Sequence, residues 1–181
     1  MQIDYTAKQT ALQPKLAAAN INPESFLATD YLNHFNEIVM LLEMIPDMPE
    51  LIEDTDDWAP KSYTQHFEDS GFQAKGLAID AFELAPKPIR QAFDSVCDEM
   101  NELILTTLSG LKNLNVVERG FSPAARELVK QRVETIQQLL MKLNQVVHGK
   151  PGTVLQFEKP VDQKVSTEKV ETQEDIDKLF D

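Results

Sequence analysis

Two long apolar seams separated by a short break constrain this chain more than any other feature of its sequence. From Pro88 to about Leu114, the residues Ile89, Phe93, Val96, Met100, Leu103, Ile104, Leu108 and Leu111 advance mainly by three and four, the period of an amphipathic helix. Asn113 to Phe121, containing Gly120, reads as a turn. Ser122-Pro123 then supplies a capping hydroxyl followed by proline at the first helical position, and Leu128, Val129, Val133, Ile136, Leu139, Leu140, Leu143 and Val147 carry a second seam to His148. Gly149 is placed to end it, because glycine adopts a left-handed C′ conformation at little cost. Helices of about 26 residues extend roughly 40 Å, so a short turn returns the second beside the first. The expected fold class is all-α: a helical bundle built on a long antiparallel helical hairpin, with a flexible C-terminal tail.

Shorter helices fill the region before the hairpin. Asn22-Pro23-Glu24-Ser25 has the order of a helix start, and Tyr31, Phe35, Ile38, Leu41, Leu42 and Ile45 give one apolar stripe that Pro46 ends. Prolines 46, 49 and 60 punctuate the next stretch, where Leu51 and Ile52 lie among acids and Trp58 is expected to pin the segment to the core. Ser62 caps a helix to about Asp69, Ser70-Gly71 breaks it, and another runs from Phe72 to Ala85. Residues 1–21 form a short helix or a mobile arm. The domain reading is an N-terminal arm over 1–21, a helical bundle over 22–149, a linker over 150–170 and a C-terminal recognition helix over 171–181.

Charge removes several function classes. Seventeen Lys and Arg against 30 Asp and Glu leave a net charge of −13, which repels phosphate backbones and anionic membranes, so neither nucleic acid nor membrane is an expected partner. Residues 1–20 lack the apolar stretch of a secretory signal, and no run of about 18 apolar residues occurs. A single cysteine, Cys97, forms no internal disulfide and no zinc framework. A cytoplasmic location is expected.

The chemistry-bearing residues before position 150 are few. His34 and Glu37 lie one helical turn apart, and Glu43, His66 and Glu68 could join them in a carboxylate-and-histidine metal site. A hydrogen-bonded boundary histidine is the competing reading, and no second Glu-x-x-His repeat completes a di-iron set. No metal and no cofactor is therefore expected, with a small metal- or ligand-binding protein kept as the alternative. Cys97 falls inside an apolar seam without a basic neighbour in sequence and reads as a buried thiol. His148 complements the macrodipole at a helix end. Met40, Met44 and Met48 read as core filling in preference to a soft recognition surface. The six glycines form neither a P-loop nor a dinucleotide fingerprint.

Beyond Lys150 the hydrophobic density falls, and pattern returns only at the end. Thr172-Gln173-Glu174-Asp175 has a capping hydroxyl with an acid three residues on, followed by Ile176, Leu179 and Phe180 at helical spacing. Ten residues are too few for a stable isolated helix, so such a segment suits folding in another protein's groove. The string from Thr172 to Phe180 resembles the peptides by which flagellar switch proteins and the CheZ phosphatase family bind the response regulator CheY. Those peptides share a Ser/Thr-Gln-acid-acid-Ile/Val-Asp core followed by apolar residues. The order hairpin, linker, peptide is similar to CheZ as well. The resemblance implies a response-regulator partner, with Ile176, Leu179 and Phe180 as groove anchors and Gln173, Asp175 and Asp177 setting polar register. It further implies, at most, an aspartyl-phosphate phosphatase in which an acid grips the regulator's lysine and a glutamine orients water. Glu134 and Gln138, at i and i+4, are the matching positions, with Glu standing where CheZ has Asp. An apolar seam left uncovered on one side would also favour a homodimer.

Overall fold

The structure, a computed structural model, describes residues 2–151. It is all-α among those residues: α1 (Ala7–Ala18), α2 (Leu32–Met44), α3 (Tyr63–Asp69), α4 (Lys75–Glu83), α5 (Lys87–Asn113), α6 (Val116–Arg119) and α7 (Pro123–Val147), with 3-10 segments at Thr29–Tyr31 and Pro49–Asp57. The part of the linker from residue 152 onward and all of the segment 171–181 lie outside the described residues.

The long helices stand where the seams place them. α5 and α7 make the most extensive interhelical packing, and α2 lies on α7 as the next largest pairing. Ser122 caps α7 by accepting from the Ala125 N–H at 3.1 Å. At the other end Gly149 takes φ of 77°. Its N–H donates to Val146 O at 2.9 Å, and the Lys150 N–H donates to Gln145 O at 2.9 Å. This pair of bonds is a Schellman closure, which satisfies two carbonyls the helix would otherwise leave bare. α3 opens with a reciprocal box: Ser62 Oγ accepts from the Gln65 N–H at 3.1 Å, and the Gln65 side chain accepts from the Ser62 N–H at 3.0 Å.

One continuous apolar core runs under all of these elements, with Phe35, Ile38, Leu42, Ile89, Met100, Ile104, Ile136 and Leu143 fully enclosed. At one end it is aromatic. Tyr63 stacks on Phe82 with ring centroids 4.3 Å apart, and Tyr31 meets Phe93 at 5.3 Å. The buried phenols also serve the backbone: Tyr63 accepts from the Ala28 N–H at 2.8 Å, and Tyr31 donates to Lys61 O at 2.8 Å. Where the sequence admits a short helix or an arm, the chain forms α1, which is capped by Thr6 and Gln9 and sends Leu16 into the same core.

The start of α2 differs from the expected position. Asn22 does act as a local cap, its Oδ1 accepting from the Glu24 and Ser25 N–H groups at 2.9 Å each. The chain then turns instead of winding on, because Phe26 adopts φ of 67° and is fully buried. The Ser25 hydroxyl donates to Val147 O, so this loop is fastened to the end of α7, and α2 begins only at Leu32. The break between α5 and α7 also has structure of its own: Asn115, at φ of 49°, opens the single turn of α6.

Candidate functional site

α2 and α7 run antiparallel. Ser25, before α2, touches Val147 at the end of α7, while Asp47, just past α2, pairs with Arg126 near the start of α7 at 2.9 Å. Between them lies a surface groove of about 390 Å³. Leu42, Pro46, Val129 and Val133 supply its apolar lining, and Glu43, Asp47, Arg126, Lys130, Glu134 and Gln137 its polar margin. The Gln137 side-chain amide donates to a Glu43 carboxylate oxygen across the groove.

Glu134 lines this groove and Gln138 does not; both are exposed on α7, one turn apart. Gln137, one residue before the candidate Gln138, is the amide that faces α2. Nothing local distinguishes Gln137 from Gln138, because the choice depends on where α2 packs. The residues Gln173, Asp175, Ile176, Asp177, Leu179 and Phe180 lie outside the described residues.

The methionines are a correction. Met40, Met44 and Met48 are 57%, 39% and 38% exposed, not core, and Met141 on α7 is 63% exposed. The buried stripe along α2 and its flanking residues, from Tyr31 through Phe35, Ile38, Leu42 and Ile45, leaves Met40 on the outward side of the helix.

The histidine candidates are otherwise engaged. His34 is 6% exposed and its ring stacks on Trp58 at 5.0 Å. Its Nε2 accepts from the Lys61 N–H at 3.1 Å, which occupies the lone pair a metal would need. Burial, reinforced by the neighbouring His66 and Lys61 charges, pushes the His34 imidazole down to about 4. The Trp58 indole N–H donates to His34 O at 3.0 Å, so Trp58 does hold its segment to the core. His66 pairs with Asp30 at 2.9 Å, whereas Glu43 reaches toward α7. Among the described residues no three His, Cys, Asp or Glu side chains group as metal ligands. Cys97 is buried, and burial raises its thiol to about 12. His148 Nδ1 lies 2.7 Å from Asn144 O at the close of α7.

A second depression of about 310 Å³ lies between the Pro49–Asp57 segment and the α5–α6 corner, with Ile52, Leu111 and Val116 beneath Glu53, Asp56, Lys112 and Glu118. Lys112 pairs there with Asp56, so its charge is already met.

What fold and site together define is an all-α protein with a polar-rimmed interhelical groove. Compared with protein-family models, curated proteins and solved structures, the chain matches none. Among the described residues, no helix is long and apolar enough to cross a membrane.

Proposed function

We propose that this protein is a cytoplasmic signalling component that binds a CheY-like response regulator through residues 171–181. The observation that carries this reading is the sequence Thr172-Gln173-Glu174-Asp175-Ile176-Asp177 with Leu179 and Phe180 behind it. The net charge of −13, which disfavours nucleic acid and anionic membrane, supports the choice of a protein partner. The α5–α7 pair would serve as the hairpin core of a bundle that carries the peptide, alone or as a homodimer.

Hydrolysis is the furthest extent of the activity. Glu134 would hold the regulator's lysine, and Gln138 would orient a water whose oxygen attacks phosphorus as the bond to the aspartyl oxygen breaks, giving inorganic phosphate and a free carboxylate. The exposure of both side chains on one face of α7 supports this assignment. The metal-binding alternative finds no support at His34, whose acceptor nitrogen is already used.

The test is calorimetric titration of the full chain into candidate regulators, with and without beryllofluoride as phosphoryl mimic. Binding that tightens with the mimic and disappears when Ile176, Leu179 and Phe180 are changed to Ala is the expected result. Absence of binding in both states overturns the proposal. Phosphate release that persists in Gln138→Ala would leave a binding role and remove the catalytic one.

A further inference from the structure

Among the described residues, six large apolar side chains are exposed, and four of them are methionines: Met40, Met44, Met48 and Met141. The other two, Leu105 and Val117, sit singly elsewhere, as exposed apolar residues ordinarily do. Two of them, Met40 and Met141, fall on one face. Met40 lies one turn before Glu43 on α2, and Met141 one turn beyond Gln137 on α7. Because Glu43 and Gln137 meet and the helices are antiparallel, both methionines are displaced the same way from that contact and flank the same seam. Met44 follows Met40 by one turn. Met48 comes just past α2, its N–H donating to Met44 O at 3.0 Å. Across the Glu43–Gln137 contact this surface leads into the apolar groove lined by Val129 and Val133.

Charge decides what can cover it. Glu37, Glu43, Asp47 and Glu134 stand on or beside the face against Arg126, Lys130 and Lys142, and Arg126 is engaged by Asp47. A second copy of a chain with a net charge of −13 would bring like charge to like. An anionic membrane is repelled for the same reason, as is the chain's own segment 171–181, whose Glu171, Glu174, Asp175, Asp177 and Asp181 face only Lys178 in compensation. Methionine suits a face that receives helices: its unbranched, polarisable side chain repacks around varied apolar partners. We propose that the outer face of the α2–α7 layer, where the groove rimmed by Glu43, Asp47 and Glu134 runs on past the Glu43–Gln137 contact to Met40 and Met141, is a docking surface for a cationic amphipathic helix. This site is separate from residues 171–181 and stands whether or not they bind a regulator.

The full chain carries six methionines, so methyl-labelled methionine resolves the face residue by residue, with buried Met100 as an internal reference. The probe is a Leu/Lys helix of about 18 residues with leucines at i, i+3, i+4 and i+7, beside a scrambled peptide of equal composition. Saturable shifts of Met40 and Met141 with the patterned peptide, with Met100 still, are the expected result. The double variant Met40→Gln, Met141→Gln, both exposed positions, should bind at least about tenfold more weakly while its thermal unfolding is unchanged. The proposal is overturned by unmoved methyl signals, by equal response to the scrambled peptide, by a larger response to phosphatidylglycerol vesicles, by movement of Met100, or by wild-type affinity in the double variant.

Discussion

Acidifying this protein should weaken it through His34 over a defined pH window. The ring is buried between Trp58 and Phe35, with His66 6.4 Å away centroid to centroid, and its Nε2 is an acceptor for the Lys61 N–H. A proton on Nε2 would turn that acceptor into a donor facing another donor. The folded-state value of about 4 lies below the ordinary 6.5. Between these limits the unfolded chain binds more protons than the folded one, so stability is intact above 6.5 and falls as pH drops toward 4. At about 1.4 kcal/mol per unit, the gap corresponds to about 3 kcal/mol. Urea unfolding followed by the fluorescence of Trp58, the sole tryptophan and the residue stacked on His34, measures this directly. Wild type and His34→Gln should be compared at pH 7, 5.5 and 4.5, because carboxylates far from the ring act on both and cancel in the difference. The wild-type advantage should shrink by most of those 3 kcal/mol across the window, with unchanged denaturant slopes, about 1.4 kcal/mol for each unit of pH. A difference that stays constant with pH, or grows on acidification, would refute the reasoning.

Three further outcomes follow from the same geometry. Gly149→Ala should cost about 1–2 kcal/mol, because φ of 77° disfavours a side chain and the new Cβ would sit 2.9 Å from Glu24 Oε2. Chemical denaturation of this variant in a Glu24→Ala background should recover only a minor part of the loss, since the backbone strain persists. Ser122→Ala removes the acceptor for the Ala125 N–H and should lower stability by about 1 kcal/mol in the same assay. Cys97, enclosed and with its thiol raised to about 12, should resist an aromatic disulfide reagent at pH 8 and react once urea is added; equal labelling rates with and without urea would contradict the burial.

The parts of the fold legible in the sequence are those whose cause is local. Ser62 with Gln65, Ser122 with Pro123, and Gly149 each carry their capping chemistry within a few residues, and α3 and α7 begin or end there. The seams of α5 and α7 are long enough for period alone to decide them. Asn22-Pro23 failed as a start for α2 because its cap is real but its continuation is tertiary. Phe26 turns left-handed where burial and the Ser25–Val147 bond hold it, and neither is visible locally. The methionines failed for a related reason: a four-residue spacing states that they share a face, and only the position of α7 states which one. At the candidate site, Glu134 was legible as an exposed acid and its groove was not. The pairing of Glu43 with Gln137 joins positions far apart in sequence.

The loop at residues 22–28 has a dynamic consequence. Tyr5 donates to Glu24 O at 2.9 Å and stacks on Phe26, the Ser25 hydroxyl holds Val147, and Glu24 abuts Gly149. Three stretches that lie at opposite ends of the described chain are thus joined at one corner. Amide protons at Phe26, Gly149 and Lys150, bonded to carbonyls on both sides of that corner, would exchange with solvent through one shared opening event instead of fraying independently. The terminal turn of α7, which in most helices is the first to loosen, should here open no faster than the loop that grips it.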